Sequence, residues 1–265
     1  MAYNRKPIPD MLEGVYMKIN YNEISEKYDI NRNVNPDTLK RLISGAQIVK
    51  DSVVADFGCG TGNYACAIKR ITDSIIYGIE PSDGMRHQAV QKNMDIIFLK
   101  GNHKYIPIPD GAIDFIYMTD VIHHIPDILE MLVEFKRVLK ENGRACIVTE
   151  SYKQLENRFW VKYFPSTVQV EKERYPDISE IVYRAELNGF GEVQIDTSDR
   201  NMQHTISMDF MKLVENKGFS MFRLISDEDY HKGFDLLKKD FERKVELSYF
   251  HGETFIWLKK PEIQF

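Results

Sequence analysis

The sequence is poor in cysteine and carries no excess of positive charge. Its 265 residues include three cysteines, Cys59, Cys66 and Cys146. None belongs to a C-x-x-C pair, so neither a disulfide framework nor a thiolate metal site is expected. His123 and His124 are adjacent, and neighbouring residues of a helix or strand point in different directions, so they make a poor ligand pair; no metal is expected. No apolar run approaches the ~20 residues needed to cross a bilayer. The opening segment MAYNRKPIPD lacks the apolar core of a secretion signal. These absences describe a reduced, cytoplasmic chain without a membrane span, expected as a monomer or homodimer. Lys and Arg number 35 against 40 Asp and Glu, a formal net charge of −5, which disfavours a general polyanion binder. Internal repeats and low-complexity linkers are also missing.

What is present is a repeating alternation of short apolar runs and helical patterns. SVVADF, SIIYGIE, DIIFLKG, IDFIYMTD and RACIVTE read as strands. NYACAIKRI, SDGMRHQAVQK and DILEMLVEFKRVLKENG read as helices between them. Continuous apolar strands separated by helices predict a parallel sheet covered on both faces. The strongest helix is expected over 127–140, where Ile128, Leu129, Leu132, Phe135, Val138 and Leu139 share one stripe. Later, a helix stopping at Gly189 leads into a sixth strand (192–197). Two helices follow, starting at Ser207 and Ser226, and ETFIWLKK is a seventh strand. The division expected is an N-terminal helical cap (1–50), a nucleotide-binding core (51–151), and the rest of the sheet with helical insertions (152–265), all within one structural domain.

The segment VVADFGCGTGNYACAI (53–68) places Gly58, Gly60 and Gly62 between a buried strand and a helix. Glycine lets the backbone turn sharply and a ligand approach closely, and the loop amides with the helix N-terminus favour negative ligand atoms. A dinucleotide loop prefers G-x-G-x-x-G; here the sixth position is Asn63. Asp56 separates the possibilities further, because a carboxylate beside a pyrophosphate is repelled. S-adenosylmethionine carries an ammonium and a sulfonium as well as a carboxylate, and so suits an acid beside a glycine loop. The plainer alternative is that Asp56 only fixes the loop through backbone N–H groups. Glu80, which ends the second apolar strand some 20 residues on, is placed to take two ribose hydroxyls.

VVADFGCGTGNYACAI, IIYGIEPSDGM, IIFLKGNHKYIPIPDGAIDFIYMTDVIHHIPD and FKRVLKENGRACIVTE together resemble the successive motifs of class I SAM-dependent methyltransferases. The closest type is the small-molecule group that includes the ubiquinone and menaquinone methyltransferases. The resemblance covers roughly residues 50–151 and implies a seven-stranded Rossmann-like α/β sheet of order 3-2-1-4-5-7-6 with the last strand antiparallel. It implies that Asp56, Gly58, Cys59, Gly60 and Gly62 surround the methionine part of S-adenosylmethionine. Glu80, Pro81 and Ser82 would hold the ribose, and Asn102 and His103 the adenine. Thr119 and Asp120 would lie near the sulfonium, and Tyr28 would reach the cofactor from the N-terminal segment. Asn102 departs from the family's usual Asp; its side-chain carbonyl can still accept from the adenine amino group. His103 either stacks on the ring or lies exposed.

Methyl transfer is an in-line displacement, so the protein's work is positioning, water exclusion and, for many acceptors, proton removal. His123, just after the fourth strand, is the candidate base and acceptor contact. The acceptor pocket is expected from segments outside the common core: Tyr16 and Tyr21, Trp160, Tyr163 and Phe164, and the helices of 198–252. Met202, Met208 and Met211 suit an apolar lid. Arg200 and His204, read as following the sixth strand, either meet an anionic group of the acceptor or form surface ion pairs. The function expected is methyl transfer to a small molecule. The alternatives are a tRNA wobble-uridine-type methyltransferase, a nicotinamide oxidoreductase and a non-catalytic SAM-binding protein.

Overall fold

The computed structural model describes residues 34–262, without the side chains of 202–204 and 248–251; Tyr16, Tyr21 and Tyr28 lie outside the described residues. Seven strands form one sheet: β1 (Val53–Phe57), β2 (Ile75–Ile79), β3 (Ile97–Leu99), β4 (Ile113–Thr119), β5 (Leu139–Thr149), β6 (Glu192–Thr205) and β7 (Glu246–Lys259). Their order is β3-β2-β1-β4-β5-β7-β6. The first five pair in parallel, and β7 runs antiparallel to both its neighbours.

Both sheet faces are covered, which is why the strands read as unbroken apolar runs. Alternate residues serve opposite faces. Val54, Phe115, Tyr117 and Phe255 pack with α1 (Pro36–Ala46) and α2 (Asn63–Thr72). Ala55, Ile116, Met118 and Ile256 pack with α4 (Ile128–Val138), and with Ile181 and Ala185 of α7 (Ile178–Leu187). Between them α3 (Asp83–Lys92) follows β2, its first turn capped by the Ser82 hydroxyl accepting from the Met85 N–H. Inserted after β5 are two short helices, α5 (Tyr152–Glu156) and α6 (Thr167–Arg174).

Two boundaries differ from expectation. The helix expected to reach residue 140 ends at Val138, and β5 begins at Leu139 rather than 144. The register there jumps from Ile113↔Leu139 to Phe115↔Arg144. The extra residues bulge out through Asn142 at φ 62 and Gly143, where a Cβ would lie 2.7 Å from the Lys140 carbonyl. Second, β6 continues to Thr205 and β7 starts at Glu246, so Arg200 and His204 lie within β6, not after it. Only Thr254–Lys259 of β7 pair with β5. The remaining halves of β6 and β7 pair solely with each other, a two-stranded arm that carries residues 206–245.

That insertion, with α8 (Met208–Glu215) and α9 (Asp227–Glu242), has its own core of Met211, Val214, Met221, Phe222, Tyr230 and Leu237, joined by Tyr163 and Phe164. Ser207 and Ser226 cap the two helices through the N–H groups of Phe210 and Asp229. Met208 is exposed. No helix among the described residues is long and apolar enough to cross a membrane.

Candidate functional site

The carboxyl ends of β1 and β4 lie beside each other where the strand order changes direction, the position at which open α/β sheets open a crevice. A cleft of about 180 Å³ occupies it. The glycine loop forms one wall. Gly58 has φ +73, and a Cβ there would stand 2.6 Å from a Val121 methyl. The Gly58 and Cys59 N–H groups donate to the Ile79 carbonyl, tying the loop to β2. Gly62, at φ +80, is the N-cap of α2 and lies against Phe98 and Ala89.

Glu80 is the hinge of this wall. Its carboxylate accepts from the Gly60 N–H at 3.0 Å and the Ser82 N–H at 2.9 Å. Burial pushes its pKa up, and those two N–H groups oppose the rise. Each carboxylate oxygen keeps a further lone pair toward the cleft, enough for two vicinal hydroxyls. The opposite wall comes from residues 101–103, held by an internal clip. Arg137 donates to the carbonyls of Ile106 (2.7 Å) and Ile108 (2.9 Å), and Glu134 accepts from the Ile106 N–H at 2.8 Å. His103 lines the cleft with its Nε2 3.6 Å from Glu130. Burial lowers its pKa, with Glu130 acting in the other direction, which favours a neutral ring suited to lie against a heterocycle.

The structure gathers Gly58, Gly60, Glu80, Pro81, Asn102, His103, Thr119 and Asp120 around this cleft. Four expected contacts, Asp56, Cys59, Gly62 and Ser82, do not line it. Asp56 is 2 % exposed and sits behind the loop. Burial pushes its pKa up to about 7, while the Tyr117 hydroxyl and the Ala65 N–H favour its charged form and Glu80 disfavours it. Cys59 is buried with its Sγ beside the Gly60 carbonyl. Gly62 and Ser82 shape the helix starts without lining the cleft. The Asn102 side-chain carbonyl accepts from the Lys104 N–H (2.9 Å) and the Tyr105 N–H (3.2 Å), so it closes its own turn instead of standing ready for an adenine. Met85, Val121 and Ile125 line the cleft without having been singled out in the sequence, since they carry no motif beyond ordinary helix and loop chemistry; His124, weighed there beside His123 as a poor metal ligand, lines it too.

A second cleft of about 320 Å³ opens on the lid side, and Asp120 lines both. Asp120 has φ 56, a left-handed conformation that costs a non-glycine residue. His123, 4 % exposed, faces this second cleft and stacks on Tyr175 with centroids 4.3 Å apart. Beyond them stands Arg158, paired through two nitrogens with Glu150 (Nε to Oε1 at 2.9 Å) and through Nη1 with Glu171 at 2.6 Å. Its guanidinium lies over the rings of Trp160 (5.1 Å) and Tyr175 (5.6 Å). Arg174 joins Glu171 to the Ser220 hydroxyl, each at 3.0 Å. Glu253, from the β7 arm, completes the lining together with Phe159, Phe219 and Met221.

Of the expected acceptor residues, His123 and Trp160 line this cleft. Tyr163 and Phe164 do not. The Tyr163 hydroxyl donates to Asp240 at 2.9 Å, and Phe164 is fully buried against Phe222. Arg200 forms an ion pair with Asp37 of α1, half exposed, so the surface pairing is the one realised. His204 pairs with Leu247 in the arm by backbone register. Glu150, Arg158, Glu171, Tyr175 and Glu253 were missed because they come from separate segments with no shared spacing. Among the described residues no three His, Cys, Asp or Glu are grouped to hold a metal ion.

A family model described as "Methyltransferase domain" matches residues 55–147. A demethylmenaquinone methyltransferase of Staphylococcus carnosus is 26% identical over 204 residues, 66% of this chain and 85% of that protein. A malonyl-[acyl-carrier protein] O-methyltransferase of Yersinia pestis is 28% identical over 123 residues, and that match spans 46% of each chain. Among solved structures, a putative methyltransferase from an antibiotic biosynthesis pathway of Anabaena variabilis superposes with a TM-score of 0.66 at 22% identity, covering 86% of this chain and 98% of that one. The glycine loop with Glu80 behind it, the strand order and the family match agree: residues 55–147 carry a methyltransferase domain, within a chain that has the Rossmann-like fold of the class I S-adenosylmethionine-dependent methyltransferases.

Proposed function

We propose that the protein transfers a methyl group from S-adenosylmethionine to a small-molecule acceptor held in the second cleft. The observation that carries this is the meeting of the two clefts at Asp120. A donor in the glycine-loop cleft and an acceptor under the lid would then face each other across one residue, as an in-line displacement requires. When bound, the cofactor supplies an activated methyl carbon and its own leaving group.

The chain's residues account for the rest. Glu80 would take the ribose hydroxyls, and the loop amides and the start of α2 the carboxylate. His103 and Ile125 would flank the adenine, and Thr119, Asp120 and Val121 would border the sulfur end. The lid wall of Phe159, Trp160 and Phe219 excludes water, which favours a displacement of this kind. The size of the second cleft supports an acceptor of metabolite size. Its lining opposes a nucleic acid: four carboxylates (Asp120, Glu150, Glu171, Glu253) face one guanidinium (Arg158) among the described residues, which repels a polyanion.

The test is calorimetric titration with S-adenosylhomocysteine, then labelled-methyl incorporation into a metabolite extract. Micromolar binding of the product together with label in a low-molecular-weight fraction is expected. Binding without incorporation into any small molecule leaves a sensor; tight NADH binding in place of the thioether overturns the reading.

A further inference from the structure

The second cleft says something about the charge of what enters it. Its described walls are aromatic (Phe159, Trp160, Tyr175, Phe219) and acidic. The single lining guanidinium, Arg158, is already matched by Glu150 and Glu171. It lies over Trp160 and Tyr175, the arrangement by which aromatic faces hold a cation. Glu253 is different in its partners. Among the described residues, the hydrogen-bond donors to its carboxylate are neutral: the Thr38 hydroxyl and the Asn35 side-chain amide at 3.2 Å. An independent feature belongs to the same lining. The Trp160 indole N–H is buried and meets no acceptor among the described residues, a donor left for an oxygen of a ligand.

We propose that the acceptor is a cationic amine that also bears an oxygen function, and that Glu253 receives the proton the amine must lose before its nitrogen attacks. This rests on the methyl-transfer reading above. The ammonium N–H bond breaks and the proton passes to a Glu253 oxygen. The freed lone pair forms the N–C bond as the C–S bond breaks, and that electron pair returns to sulfur, which leaves as a neutral thioether. Burial pushes the Glu253 carboxyl up to about 7, with Asp120 and Glu150 adding to the rise and Thr38 and Arg200 opposing it, so it exchanges a proton near neutrality. Among the described residues the groups around it are Asp120 after β4, His123 beyond it, Glu150 after β5, Arg200 in β6, Asp37 and Thr38 in α1 and Tyr64 in α2.

The experiment uses the full-length protein. Titration with S-adenosylhomocysteine comes first; no binding there overturns the methyl-transfer reading, and this proposal with it. The product-saturated protein is then titrated with choline and with its uncharged isostere 3,3-dimethylbutan-1-ol between pH 6 and 8.5, followed by tryptophan fluorescence. Choline carries a fixed charge, so any pH dependence belongs to the protein. At pH 8 choline is expected to bind at least tenfold more tightly than the alcohol, and the preference to shrink several-fold toward pH 6 as the Glu253 carboxylate takes up a proton. Glu253→Gln is expected to cut the preference at least fivefold and to leave product affinity within twofold. Product binding with no preference for choline overturns the amine assignment alone. Should Glu253→Gln fail to fold, the wild-type profile decides, and a preference that stays flat from pH 6 to 8.5 removes Glu253 from the role.

Discussion

At the residue scale, Asp56 shows how a motif residue can be conspicuous in sequence and yet work from behind the site. In the unfolded chain its carboxyl ionises near the usual 3.8, whereas in the folded protein burial holds the proton until about pH 7. Between those values the folded state binds more protons than the unfolded one, so stability falls as pH rises through that window and levels off above it. The Asp56→Asn protein lacks this slope. Its melting temperature relative to the parent is expected to rise steadily from pH 4.5 to 7.5, by an amount on the order of a few kcal/mol in stability. Parallel pH profiles for the two proteins would contradict the assignment. The glycines, Glu80 and Asp120 were legible in the sequence because their positions follow strand ends, where side chains meet the crevice. Asn102 was legible as a position but not as a geometry: nothing in the letters GNHKY tells whether its carbonyl turns outward or caps the Lys104 and Tyr105 amides.

At the scale of elements, the insertion carried between β6 and β7 depends on a close approach that a helix would not ordinarily choose. Gly233 lies within α9, where alanine would be favoured by about 1 kcal/mol on helix propensity. A Cβ there, however, would stand 2.4 Å from the Phe164 ring and 2.5 Å from the Tyr163 carbonyl. Overpacking at such a contact costs about 1–3 kcal/mol, and part of it falls on backbone that cannot swing aside. Gly233→Ala is therefore expected to loosen the lid, seen as faster proteolysis within 206–245 and a melting temperature lowered by several degrees. Affinity for S-adenosylhomocysteine should stay within twofold; an unchanged or raised melting temperature would show that the contact relaxes freely. The first five strands announced themselves as apolar runs. The outer halves of β6 and β7 did not, because SDRNMQHT and ELSYFHGE have neither a run nor an alternation and are ordered by pairing with each other.

At the scale of the whole molecule, the acidic balance read from composition reappears in the charge of the second cleft. Total tRNA at 50 mM salt is expected to show no retained complex in a filter-binding assay. A salt-sensitive complex with a slope of several ions would reopen the nucleic-acid reading. The fold was legible because four motifs stand in order along 53–151. The second cleft was not, because its lining converges from the end of β5, the segment of two short helices after it, the turn at 219–221 and the β7 arm, which only the packed chain brings together. The placement of that arm has one more implication. Thr205 and Glu246 are directly opposed at its tip, so everything from 206 to 245 leaves and re-enters the chain at a single point in space. Such a segment can be replaced as a cassette with two adjacent splices, which would change Phe219, Ser220 and Met221 of the second cleft while the lining of the glycine-loop cleft stays as it is.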